Sequence, residues 1–295
     1  MCYSVAYLEK KARKLAERYK DFFPADWSEE HLPDEPQPPP GKGSDDAGGF
    51  EAGDAPASSE QLGLPLFDDE LDDPRHKDPD DLSAPGDLPT FYFVSGFSYP
   101  FMPVIRHDGL HLCQWGLVPH WSKDTSFADD IRSKTLNARG ETIFSKPSFR
   151  GSITSKRCLL PISGFYEWRT VNNMKYPYFI RLKEEHLFSL GCIFDTWTDR
   201  QTGEHRQTFS IVTTAANPLM ETIHNLKKRM PLIIGREDET AWADPDLDAR
   251  QIKELIRPFD ENRMEAWTVS RTLNSPRNQR DIPQAMEKVV YEELE

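Results

Sequence analysis

Cys2 follows the initiator methionine directly. Once Met1 is removed, it carries an amine and a thiol on adjacent carbons, a pair that no internal cysteine has. The amine condenses with an aldehyde to an imine, and the thiol then adds to the imine carbon to close a five-membered thiazolidine. Both groups suit neutral pH, because ordinary values are about 7.7–8.0 for an α-amine and about 8.5 for a thiol. Residue 2 therefore offers an aldehyde trap. The plain alternative is a cysteine acting as a small apolar filler.

Between Arg132 and Arg157 the chain gathers Arg132, Lys134, Arg139, Lys146, Arg150, Lys156 and Arg157, with Glu141 as the acidic residue among them. Together with Trp115, Trp121, Phe144 and Phe149, this pattern reads as a surface that tracks phosphates and stacks unpaired bases. A solvated basic face is the competing reading. Trp121, beside Pro119 and His120, is the better-placed stacking residue, whereas Trp115 suits either that surface or the core. Cys2, Cys113, Cys158 and Cys192 lie far apart and form no CxxC pair, which argues against a zinc cluster and against a secreted disulfide framework. No metal or cofactor is expected.

Of the 295 residues, those from 24 to 90 form an acidic insertion rich in Pro, Gly, Ser and Asp. It holds 19 acidic against 3 basic residues, a net of −16, while the whole chain is −13; the remainder is therefore mildly basic at +3. Such a composition buries too little apolar surface to offset its ordering entropy and predicts a mostly disordered segment. Within it, Leu62, Leu64, Leu66 and Phe67 form a short apolar stretch suited to docking on the body or on a protein partner, or to transient collapse. No secretory leader or membrane-length apolar run is visible, so a cytoplasmic, reducing location is expected, nucleoid-associated when on DNA.

The elements that must position these groups follow from periodicity. Residues Leu8 to Lys20 place Leu8, Ala12, Leu15, Ala16 and Tyr19 on one helical face. Four β-rich runs follow the insertion: PVIRHDGLHLCQWGLV, RCLLPISGFYEW, YPYFIRLKEEHLFSLGCIF and TFSIVTT. The pair flanking Lys183 to Glu185 reads as a hairpin. Asn217 and Pro218 cap and open a helix, NPLMETIH. A strand-like PLII, helical EDETAWA and DLDARQIKELI, and a late strand EAWTVS complete the pattern. The expected fold is α+β: a single domain over 1–295 on a largely antiparallel, curved, barrel-like sheet with a few flanking helices.

Four ordered blocks, WGLVPHW, TLNARGETI, GFYEW and TTAANPLMETIHNLKKRMP, together with Cys2, resemble the SRAP family, the SOS response-associated peptidases that shield abasic sites in single-stranded DNA. The resemblance runs from Cys2 to about residue 282, interrupted by the insertion. It implies that Cys2 attacks the ring-opened sugar aldehyde and ends as a thiazolidine. Asn137 would hold the nucleophile and sugar hydroxyls. Glu167 would shuttle protons, a task suited to a carboxyl group in the partly apolar setting of Tyr166 and Trp168. His224 would act as acid or base on the sugar. Arg139 and Arg229 would bind flanking phosphates, with Arg150, Lys227, Trp115 and Trp121 as further DNA contacts.

Two departures stand out. Many members begin Met-Cys-Gly-Arg, whereas Tyr3 and Ser4 occupy those positions here, and the histidine block carries Leu226 to Lys228 in addition to the shorter family form. The expected activity is covalent capture of abasic sites by a monomer. The alternatives are an N-terminal-nucleophile amidohydrolase, of which self-removal of Met1 is a minimal form, and a non-covalent DNA-binding adaptor.

Overall fold

The computed structural model describes residues 2–24, 27–28 and 87–294. Most of the acidic insertion, with its expected disorder and its LGLPLF stretch, lies outside the described residues. In chain order the strands are β1 (Ser4–Tyr7), β2 (Phe91–Ser95), β3 (Phe101–Arg106), β4 (Gly109–Trp115), β5 (Asn137–Arg139), β6 (Arg157–Ile162) and β7 (Gly164–Val171). They continue with β8 (Met174–Leu182), β9 (Phe188–Thr198), β10 (His205–Ala215), β11 (Arg229–Pro231), β12 (Ile233–Ile234) and β13 (Met264–Thr268). The helices are short: α1 (Ala12–Arg18), α2 (Thr125–Arg132), α3 (Ser152–Ser155), α4 (Pro218–Ile223), α5 (Glu239–Ala243) and α6 (Ala249–Leu255).

The strands form two sheets. One runs β13-β8-β7-β1-β2 and is antiparallel throughout. In the other, β10, β4, β3, β6 and β9 pair in turn and β9 pairs back to β10, which closes a five-stranded barrel. Strands β5 and β11 continue from β10, and β12 from β9. The α+β, barrel-like expectation therefore holds, with one addition: β10 runs parallel to both β4 and β5.

Alternation along β1 and β7 explains the core. Val5 and Phe165 face the main cluster, which includes barrel residues such as Leu159, Ile193 and Phe209. Their neighbours Ala6 and Tyr166 face the other way, into a second cluster with Phe93, Phe179, Val269, Leu273 and Ala285. The C-terminal segment thus covers the outer face of the first sheet. Because both faces are buried here, the successive residues Phe165 and Tyr166 are both large aromatics rather than an apolar–polar alternation.

Two local expectations are corrected. The helix starts at Ala12 rather than Leu8: the Leu8 amide donates to Ser163 Oγ at 3.1 Å, and Lys11 makes a bridge to Asp87, so the chain up to residue 11 is occupied with non-helical partners. Nor do the strands flanking Lys183 to Glu185 form a hairpin, since β8 belongs to the first sheet and β9 to the barrel. The hairpin is β7–β8, turned by Asn172 and Asn173 at φ 49° and 62°. Two consecutive left-handed asparagines suit the tight turn that matches strand twist. The cap on α4 is as expected, with Asn217 Oδ1 accepting from the Met220 amide at 2.9 Å and Pro218 in the first turn.

Candidate functional site

Strand β1 brings Cys2 to the site. Ser4 pairs with Tyr166, so Glu167, the next residue of β7, lies at the end of β1 where Cys2 enters. Gly164, at the start of β7, lets β8 pack closely against this strand: a Cβ there would fall 2.2 Å from Phe179 Cζ and 2.9 Å from the Ile180 carbonyl oxygen. The Cys2 side chain is fully buried, with Sγ 3.8 Å from the Ser4 carbonyl oxygen. Burial pushes its thiol far above the ordinary range, and the charge of Glu167 pushes it further. The sulfur is therefore held as the neutral thiol and needs a proton acceptor at the moment of reaction.

Glu167 and His224 form a buried carboxylate–imidazole pair, Oε1 to Nδ1 at 3.7 Å. His224 occupies the C-cap of α4, and its Nδ1 lies 2.9 Å from the Arg229 carbonyl oxygen. That carbonyl can only accept, so Nδ1 carries the proton and the neutral ring keeps its lone pair on Nε2. Burial lowers the His224 pKa, only partly opposed by Glu167. Asn225, which sequence reasoning missed, ties the two elements together: its amide oxygen accepts from the Thr170 N–H at 3.1 Å, and its Nδ2 donates to the Thr170 carbonyl at 2.8 Å. The loop bearing His224 is thereby clamped to the strand bearing Glu167. Its signal was visible only as a polar residue next to His224.

Asn137 lies on β5, opposite Ile211 of β10, and both its Oδ1 and Nδ2 are buried without a hydrogen-bond partner among the described residues. Each unsatisfied buried polar group costs about 1–3 kcal/mol, so an amide with both ends unused is a place where a polar ligand compensates. Two positions along, Arg139 is exposed, and its charge reaches Tyr3. Tyr3 packs against Phe97 with the rings tilted and 4.9 Å between their centroids, which puts an aromatic pair next to Cys2. Phe97 is 53% exposed.

The remaining site residues divide. Arg229 donates to Glu141 through both terminal nitrogens, and one of these also reaches the Thr213 carbonyl and Oγ1 at 2.8 and 3.0 Å. Its fork is thus filled from within the protein. Trp121 and Arg150 are exposed and line a common cavity, and Lys227 is exposed beyond His224. Trp115 is corrected from DNA contact to core: it is fully buried, stacks on Phe209 and donates Nε1–H to the Leu136 carbonyl at 2.9 Å. The basic surface shrinks for a similar reason. Lys134 pairs with Asp130, Lys156 with Asp195 and Arg132 with Asp129, while buried Arg157 donates to the carbonyls of Ile153, Trp242 and Asp244. Arg139, Lys146 and Arg150 are the exposed members without an ion pair among the described residues.

Residues 96–276, more than half of the chain, match the family model described as SOS response associated peptidase, SRAP. The chain belongs to the SRAP family. It is 41% identical over 167 residues to the abasic site processing protein YoqW of Bacillus subtilis, covering 56% of this chain and 71% of that one. It is 32% identical over 194 residues to the abasic site processing protein HMCES of Gallus gallus, covering 59% and 55%. A solved structure from Bacteroides thetaiotaomicron superposes with a TM-score of 0.63 at 41% identity, over 68% of this chain and 85% of that one. The SRAP match begins at Gly96 and leaves Cys2 outside it; the pairing of β1 with β2 and β7 is what joins Cys2 to the matched region. Among the described residues no cluster of three or more His, Cys, Asp and Glu is placed to hold a metal, and no helix is long and apolar enough to cross a membrane.

Proposed function

We propose that this chain recognises abasic sites in single-stranded DNA and captures them covalently through Cys2, shielding the site from strand cleavage. The names of its SRAP relatives support abasic-site processing. The observation that carries the covalent reading is the buried Glu167–His224 pair, with the carboxylate within electrostatic reach of the Cys2 thiol.

Removal of Met1 comes first, since the reaction needs the Cys2 α-amine. In the sugar, the anomeric hydroxyl gives up its proton as the ring oxygen gains one, which opens the ring to an aldehyde. His224, neutral and basic at Nε2, suits the first transfer. The amine adds to the aldehyde carbon, and loss of water leaves an imine. The thiol then adds across the C=N bond, sulfur to carbon and proton to nitrogen. Glu167 carries the protons between these steps, while Asn137 satisfies its two buried amide atoms on the sugar hydroxyls. The fully buried thiol, kept neutral until the imine is present, is protected from wasteful oxidation.

Arg139 and Arg150 hold the flanking backbone, Trp121 stacks on an exposed base, and Arg229 and Lys227 take phosphates near His224. The chain acts as one domain interrupted by the 24–90 insertion, as a monomer, in the cytoplasm. The test is to incubate purified protein with an oligonucleotide carrying one abasic site, denature, and measure intact mass. The expected product is protein lacking Met1 plus oligonucleotide minus one water, absent with undamaged DNA. Tight binding without any mass gain would instead make the protein an adaptor.

A further inference from the structure

The cavity beside Trp121 has a feature that backbone tracking does not require. Its volume is about 380 Å³, within the range of ligand pockets, and its walls include His120, Trp121, Pro147, Arg150, Gly151 and Asp195. Asp195 is almost completely buried and fully engaged. Its Oδ2 accepts from the His120 amide at 2.9 Å and lies 3.0 Å from the His120 ring Nδ1; its Oδ1 accepts from Lys156 Nζ at 2.5 Å and from the Thr196 amide at 2.9 Å. Burial would raise this carboxyl, but the hydrogen bonds from Lys156 and His120 outweigh it and hold it below its ordinary value. It is therefore a carboxylate, and Lys156 balances its charge.

The backbone bond from His120 to Asp195 would anchor this loop with any residue at position 120. The second bond, to the imidazole, does something else: it fixes the ring in one orientation although 59% of the side chain is exposed. A carboxylate can only accept, so Nδ1 bears the proton, which in the neutral form of the ring leaves Nε2 as an acceptor facing the cavity. Gly151 lies along the same wall beside the ring, where even a Cβ would make only an ordinary contact with His120 Cε1 at 3.9 Å. Trp121 is 43% exposed, and Arg150 has no ion pair among the described residues.

We propose that this cavity is a base-reading subsite, in which one unpaired base of the bound strand stacks on Trp121, its phosphate meets Arg150, and His120 Nε2 accepts from an exocyclic amino group. The subsite rests on the single-stranded DNA reading above and adds a sequence preference to it: the 4-amino group of cytosine or the 6-amino group of adenine is favoured over the carbonyl that thymine and guanine carry at the corresponding position.

The test uses the full chain and two oligonucleotides that carry the unreactive tetrahydrofuran analogue of an abasic site, one flanked by dC alone and the other by dU alone. These pyrimidines stack alike and differ along one edge, which carries an amino group and a bare N3 in cytosine but a carbonyl and an N3–H in uracil. The wild type is expected to bind the dC strand about fivefold tighter, as for one neutral hydrogen bond. His120→Phe, which keeps a ring and the anchoring amide, should bring the ratio to about one. Trp121→Ala should weaken both strands. Equal affinities in the wild type, or a dC preference that survives in His120→Phe, would overturn the subsite. A parallel adduct assay with natural abasic sites in the same two contexts separates the two readings: equal binding with the adduct intact rejects the subsite alone, whereas no binding and no adduct rejects both.

Discussion

Glu141 competes with DNA for Arg229, and neutralising it should strengthen binding. The guanidinium is only 13% exposed and is gripped by a carboxylate that is 52% exposed, so a phosphate reaching Arg229 must displace or sit beside Glu141. Burial would raise the Glu141 carboxyl, but the Arg229 hydrogen bond overrides it and holds the group below its ordinary value, charged at neutral pH. Two effects act in Glu141→Gln. The half-exposed ion pair is worth at most about 1 kcal/mol, and relief of charge repulsion between a carboxylate and a phosphate about 5 Å apart in water adds roughly 1 kcal/mol. Affinity for single-stranded DNA should therefore rise about 5- to 30-fold at low salt. Arg229 keeps its bonds to Thr213, so the fold should lose little. Fluorescence anisotropy with a tetrahydrofuran-containing 15-mer, repeated over a salt series, checks this. The slope of log K against log salt should steepen by about 0.7, one extra phosphate contact on a single strand. Unchanged or weaker binding with the same slope would refute the competition and leave Arg229 a purely structural residue.

Cys2→Ala should abolish the denaturation-resistant adduct while leaving a borohydride-trappable imine, because the α-amine remains; a stable adduct in this variant would refute ring closure. Since burial holds His224 below its ordinary value of about 6.5, an unfolded chain takes up a proton that the folded one resists. Its contribution to stability is therefore complete above pH 6.5 and is lost as pH falls below it, so His224→Gln should show a smaller drop in Tm between pH 7.5 and 5 than the wild type. Gly164→Ala drives a methyl group into Phe179 and should cost about 1–3 kcal/mol, several degrees of Tm by calorimetry. Replacing residues 29–86 by a short Gly-Ser linker removes most of the insertion's negative charge, and should speed association with single-stranded DNA, chiefly at low salt. The deletion stops before Asp87 because Lys10 and Lys11 pair with it; unchanged association with a lower Tm would mean that the insertion serves the fold.

What could be read from the sequence was local. Asn217-Pro218 opens α4, and side-chain alternation marks most of the strands, because caps and strand periods are settled within a few residues. The residue types able to do the chemistry, Cys2, Asn137, Glu167 and His224, were visible in their blocks, and so was the charge imbalance of the insertion. Tertiary structure alone decided how such residues meet. Cys2 reaches Glu167 because β1 inserts between β2 and β7, a pairing across more than 150 residues. Trp115 and Trp121 belong to one short motif, yet one is core and the other exposed, since only the barrel determines which side of the loop is enclosed. Arg157 looked like a phosphate contact until carbonyls from α5 and beyond claimed its guanidinium, and the fork of Arg229 that a phosphate would take is held by Glu141, brought from a loop far away in the chain. A charge's role depends on the counter-charge the fold brings to it, and that partner is fixed by strand order and helix packing, over distances along the chain that no local pattern spans.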